Sequence, residues 1–151
     1  MGYTSSENKY DYKKKRTAPG GKFNPPTEIP KEEPIPANYL ERAEEIMAEH
    51  FRKISTSKIR RLFSSVIELY NEEILRTEKE LLPDSVAAIA MMRVRFAYEC
   101  GRDNKVKEFV KNAHLINYLK SIGNSREAFI KFAQYMEALV AYHKFFGGRE
   151  N

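Results

Sequence analysis

Two stretches decide the fold: Met92–Asp103, MRVRFAYECGRD, and Ala133–Gly148, AQYMEALVAYHKFFGG. In each, apolar residues recur every three or four positions, the spacing that lines one face of an α-helix. Each also meets glycine at its end, Gly101 in the first and Gly147–Gly148 in the second. The first belongs to a segment that is apolar nearly all round (Val86, Ile89, Met91, Met92, Val94, Phe96, Cys100), the mark of a helix enclosed by its neighbours. It is therefore expected at the centre of the fold. Arg93 and Arg95 interrupt that surface. A buried charge without a partner costs on the order of several kcal/mol, so each arginine either emerges to meet a phosphate or finds a mate. Glu99, four residues on, suits Arg95, and Glu137 on the C-terminal helix suits Arg93. The apolar stripe continuing through position 93 favours pairing for Arg93 and phosphate contact for Arg95.

Outward from these stretches the helical spacing holds almost everywhere after residue 37. Asn38 can cap a first helix to Phe51 with Leu40, Ala43, Ile46 and Met47 inward. Ser55, Thr56 and Ser57 can cap a second, whose inward positions are Ile59, Leu62, Phe63, Val66, Ile67, Tyr70 and Ile74. Pro83 opens a third, which a left-handed Gly101 stops. Asp103 or Asn104 starts a fourth, with Val106, Phe109, Val110, Ala113 and Ile116 inward and Gly123 at its end, and Ser125 caps a fifth through Phe129, Phe132, Met136, Leu139, Val140 and His143. No strand alternation competes. Short connections favour antiparallel neighbours, so residues 38–151 are expected to form an all-α, compact five-helix bundle. Residues 1–37 hold six of the seven prolines and no apolar periodicity, which predicts a flexible, extended, Pro-rich basic arm. Its run Lys13–Arg16 beside Tyr10 and Tyr12 suits either phosphate and base contact or a solvated strap.

Composition narrows the function. The 151 residues are 42% apolar and 31% charged with a net charge of +5, an ordinary core in a basic chain. The single cysteine, Cys100, excludes a disulfide framework, argues against a thiolate metal site and fits a reducing, cytoplasmic setting. No window approaches the roughly 18 continuous apolar residues of a membrane span. His50, His114 and His143 lie far apart, without HxxxH, acidic cluster or phosphate-binding glycine loop. No catalytic residue, no metal ligand and no cofactor is expected, and the chain reads as a binding protein rather than an enzyme.

Charge is segmented. Residues 38–50 carry one basic and four acidic groups, residues 51–64 five basic and none acidic, and residues 65–85 two basic and six acidic. The basic island of Arg52, Lys53, Lys58, Arg60 and Arg61 surrounds the start of the second helix, where free backbone N–H groups and three hydroxyls would complete a phosphate site. Lys58 and Arg61 lie one turn apart on the face away from Ile59 and Phe63, so exchanging both for Glu is expected to spare the fold. A second basic run extends from Arg102 through Lys105 and Lys107 to Lys111. On a helix Lys107, Lys111, His114 and Tyr118 share one stripe, two cations followed by two flat rings, suited to single-stranded RNA or to an ordinary solvated face.

The order of TSKIRRLF (Thr56–Phe63), RVRFAYECGR (Arg93–Arg102), KVKEFVKNAHL (Lys105–Leu115) and the C-terminal helix resembles the small subunit of the type III-A CRISPR interference complex, the Csm effector. The resemblance covers residues 55–148. It implies a non-catalytic subunit that stacks with neighbouring copies of itself along a filament of backbone subunits, beside the large subunit, lining the groove that holds guide RNA and single-stranded target RNA. Sequence specificity would come from base pairing, not from this chain. The positions it offers as RNA contacts are Lys58, Arg60, Arg61, Arg93, Arg95, Arg102, Lys105, Lys107 and Lys111, which Lys53 joins from the basic island. A different reading, a free helical adaptor docking a protein through the apolar C-terminal helix, needs Phe145 and Phe146 exposed.

Overall fold

The computed structural model describes residues 27–151, so the expectations on Tyr10, Tyr12 and Lys13–Arg16 fall outside it. Ser125 begins the longest buried helix as anticipated: its hydroxyl accepts from the Ala128 N–H at 3.1 Å, satisfying one of the free donors of the first turn. From there the chain forms six helices in order: α1 Tyr39–His50, α2 Thr56–Glu73, α3 Pro83–Arg102, α4 Asn104–Asn112, α5 Leu115–Ser121 and α6 Arg126–Phe145. Among the described residues there is no strand, only an isolated bridge between Glu80 and Ser125.

The central helix is α6, not α3. Phe129, Phe132, Tyr135, Met136 and Leu139 on it are wholly buried, and α1 and α2 both lie against it. Tyr39 Oη donates to Gln134 Oε1 at 2.7 Å near one end of α1, and the rings of Phe51 and Phe146 meet at 6.0 Å at the other, so α1 runs parallel to α6. Contacts of Thr56 with His143 and of Arg126 with Glu73 make α2 antiparallel to α6. Helix α3 is antiparallel to α2 and rests on α2, α4 and α5 at the side of the bundle. Met91, Val94 and Tyr98 are 51%, 56% and 66% exposed, so an all-round apolar helix here has an uncovered face. Leu40 and Ile74, expected inward, are also exposed. Because the apolar face of α6 is spent in the core, an adaptor docking through it is left with only the helix tip, where Phe145 is exposed and Phe146 half-buried.

The anticipated fourth helix is two. After Asn112 the chain turns at His114, which takes the left-handed φ of 57°, and restarts as α5. A non-glycine residue pays on the order of 1–2 kcal/mol for that conformation. Two bonds offset it: Tyr135 Oη donates to the Ala113 carbonyl at 2.9 Å, and His114 Nδ1 lies 2.9 Å from Glu33 Oε1. At the preceding junction, Gly101 is not a left-handed stop. The helix runs through it to Arg102, and Asp103 both ends α3 in extended backbone and caps α4, accepting from the Lys105 and Val106 N–H groups at 2.9 and 3.4 Å.

The last part of the expected arm is strapped to α5. Lys120 Nζ donates to the Pro30 carbonyl at 2.6 Å, Asn117 Nδ2 to the Lys31 carbonyl at 2.8 Å, and the Glu33 N–H to the Asn117 carbonyl at 3.1 Å. Ile35 is half-buried against the core. A second tie is a buried carboxylate. Glu73, 1% exposed at the end of α2, accepts from Ser85 Oγ at 2.9 Å and Arg76 Nη1 at 2.8 Å, while Arg126 Nε lies 3.7 Å from its Oε1. One side chain thereby pins α2, α3 and α6 together.

Candidate nucleic-acid interface

The start of α2 carries the basic island, and two of its free N–H groups are already used. Gly147, at φ 89°, turns the chain back after α6, and the tail returns to α2. There the Thr56 N–H donates to the Arg149 carbonyl at 2.8 Å and the Ser57 N–H to the Glu150 carbonyl at 3.0 Å. The Ser55 side chain pairs with Ser57 Oγ at 3.2 Å instead of capping the helix. Thr56 Oγ1 is buried 3.0 Å from His143 Nδ1. His143 Nε2 lies 2.7 Å from the Ile54 carbonyl, which can only accept, so Nε2 donates there, and the Thr56 hydroxyl donates to the Arg149 carbonyl at 3.2 Å. The anticipated helix-terminal phosphate site is thus occupied at Thr56 and Ser57 by the chain's own C-terminal residues. What the island presents is mainly side chains.

Those side chains meet a second basic segment. The antiparallel register of α2 and α3 sets Lys58 Nζ 2.7 Å from Asp103 Oδ2 and Arg61 Nη1 3.5 Å from Glu99 Oε1, while Arg102 Nη1 lies 3.6 Å from the other oxygen of Glu99. Arg95 shares a shallow groove with Arg61 and Glu99. Lys53, from the turn after α1, and Lys105 of α4 both line an open cleft. Arg60 is exposed on α2. Residues more than thirty positions apart are thus brought together: Lys58, Arg61, Arg95 and Arg102 around Glu99 and Asp103, with Lys53, Lys105 and Glu108 at the cleft beyond Asp103, six cations against three carboxylates. The hydrogen bond from Lys58 holds the Asp103 carboxyl below the usual range, with the two backbone N–H groups adding to it. Burial, and then the neighbouring Lys53, push His50 down. Burial raises the Cys100 thiol to about 11, so at neutral pH it carries no thiolate.

Other candidates lie elsewhere. The stripe Lys107–Lys111–His114–Tyr118 is broken by the turn at His114. Lys107 and Lys111 stand on α4 outside the cleft, His114 pairs with Glu33, and Tyr118 is buried, stacked on His114 at 5.9 Å and edge-on to Tyr135 at 5.5 Å. Of the two rings only His114 reaches the surface, and it is bonded to Glu33. Arg93 is half-buried and forms no ion pair among the described residues; the expected mate Glu137 is exposed on α6, which α3 barely touches. Glu99 serves Arg61 and Arg102, not Arg95. Because Lys58 holds the cap of α4, a glutamate there would face Asp103 with like charge. The expectation that Lys58 and Arg61 can be reversed without affecting the fold is therefore corrected. Glu99 was expected to serve Arg95 and Asp103 to start a helix; their pairing with Lys58, Arg61 and Arg102, which organises the face, had no local signal in the sequence. Among the described residues no group of three His, Cys, Asp or Glu side chains is arranged to hold a metal, and no helix is long and apolar enough to cross a membrane.

Fold and site together define a small all-α module with a cationic flank built at the α2–α3–α4 junction. The type III-A Csm2 family model matches residues 34–149. The protein called CRISPR system Cms protein Csm2 of Streptococcus thermophilus is 38% identical over 119 residues, covering 75% of this chain and 94% of that one. Its counterpart in Mycobacterium tuberculosis is 36% identical over 115 residues (74% and 93%), and that of Enterococcus italicus 30% over 98 residues (64% and 70%). The chain belongs to the Csm2 family, the small subunit of the type III-A Csm complex.

Proposed function

We propose that this chain is a non-catalytic RNA-binding structural subunit of the type III-A effector, lining the guide and target RNA groove through phosphate contacts. The observation that carries the reading is the meeting of Lys58 and Arg61 of α2 with Arg95, Arg102 and their carboxylates at the end of α3. A strand of phosphates passing along this face meets Lys53, Arg95 and Lys105, which lack carboxylate partners among the described residues, and the half-neutralised Lys58, Arg61 and Arg102, with exposed Arg60 on the outer side of α2. Phosphate contacts fix position without reading sequence, as suits a subunit of a complex whose guide supplies specificity by pairing. Neighbouring copies, the backbone subunits and the large subunit are its protein partners in this reading. Lys107, Lys111 and Arg93 flank the face and contribute less.

The test reverses cations that hold nothing in place. Arg60→Glu with Lys105→Glu should leave the melting temperature near that of the parent and weaken binding to single-stranded RNA. Removing two phosphate contacts should also flatten the slope of log affinity against log salt by roughly 1.4. Unchanged affinity and slope would assign the face to plain solvation.

A further inference from the structure

The cleft that Lys53 and Lys105 face is more than a gap between charges. It encloses about 370 Å³, within the roughly 300–1,000 Å³ of small-molecule sites, whereas the groove beside Arg95 encloses only about 50 Å³. It lies between the turn after α1 and the flank of α4, and the buried side chains of Ile54 and Phe109 close its floor. Two carboxamides, Asn104 and Asn112, stand one above the other along α4, with the Glu108 carboxylate between them in sequence and on the same flank. His50 completes the wall, and its burial favours the neutral ring, which offers one donor and one acceptor. Ammonium groups, amides and an apolar floor in one lining match one kind of molecule: a planar heterocycle carrying a phosphate.

We propose that this cleft receives the base of one unstacked nucleotide, with the adjoining phosphate held by Lys53 and Lys105. The inference rests on the RNA-binding reading above and adds a contact that phosphate binding does not require. Its position supports it, since Lys105 of its lining stands two residues from Asp103, which Lys58 bonds. The amides make it tolerant of base identity, because each presents both a donor and an acceptor and can turn either to the edge it meets. Unstacking one base of a single strand costs little, so occupying the cleft adds affinity without requiring a particular sequence.

The experiment compares the full chain's binding to a single-stranded RNA and to an abasic oligonucleotide of the same length and charge, with adenosine 5′-monophosphate as a third probe. The intact strand should bind about tenfold more tightly than the abasic one, the scale of one well-made base contact. Asn112→Ala, and separately Asn104→Ala, should erase that difference while leaving the salt slope and the melting temperature unchanged. Equal binding of intact and abasic strands, both strongly salt-dependent, would overturn the cleft assignment and leave the RNA-binding reading standing. Binding of the monophosphate without binding of either strand would make the cleft a free-nucleotide site and sink the RNA-binding reading. Absence of binding to all three probes would overturn both.

Discussion

Replacing Glu73 by alanine tests the buried tie that joins α2, α3 and α6. The carboxylate is 1% exposed and takes a hydrogen bond from Ser85 at 2.9 Å, one from Arg76 at 2.8 Å and the charge of Arg126 at 3.7 Å. Truncation leaves the buried Ser85 hydroxyl without its acceptor, a cost of roughly 1–3 kcal/mol. It also strands Arg126, and breaking a buried ion pair from one side costs about 3–5 kcal/mol in all. Because Arg126 keeps a bond to the Glu73 carbonyl at 2.8 Å and part of its side chain reaches solvent, the lower end applies, about 3 kcal/mol. For a domain of this size that lowers the melting temperature by roughly 10 °C. Glu73→Gln, which keeps an acceptor for Ser85 but loses the charge, should fall between parent and alanine variant. Thermal unfolding followed by far-ultraviolet circular dichroism reads all three. An alanine variant melting within about 2 °C of the parent would refute the claim that this carboxylate holds the helices together.

Gly148→Ala should destabilise by about 1–3 kcal/mol, because a Cβ there runs into the ring of His143, which is wholly buried and bonded on both nitrogens; a parent-like denaturation midpoint would deny the tail its place on α2. Arg93→Ala should melt like the parent, since no partner among the described residues is stranded, and a loss of several degrees would restore the idea of an internal pair. The depressed carboxyl of Asp103 contributes stability that is present above its ordinary value of about 3.9 and lost as pH falls through the lower folded value. Asp103→Asn should therefore be less stable than the parent at neutral pH and converge with it in acid; a constant difference from pH 7 to pH 2 would contradict the ion pair with Lys58.

Local signals were legible in the chain. Ser125 and Asp103 cap their helices and Pro83 opens α3, because those effects depend on residues within one turn. The basic island was legible too, being contiguous. Its union with Arg95, Arg102 and Lys105 was not, since it depends on the register of α2 against α3, set by Lys58–Asp103 and Arg61–Glu99 across about forty residues. The side position of α3 was hidden for a related reason: apolar all round describes a core helix and equally one that leaves Met91, Val94 and Tyr98 uncovered. The return of Arg149 and Glu150 to α2 and the left-handed His114 rest on tertiary bonds that no local pattern announces. Glu73 lay in an ordinary acidic run, where burial of one member leaves no trace in composition.

The central claim is that the face at the α2–α3–α4 junction binds RNA through phosphates, and a salt titration of the pure chain on unstructured single-stranded RNA tests it most directly. Four or more phosphate contacts predict a slope of log affinity against log salt of about −3 or steeper, with no change in RNA length over the experiment. Binding whose affinity is indifferent to salt between about 50 and 200 mM, or an RNA that is shortened as it binds, would contradict the account.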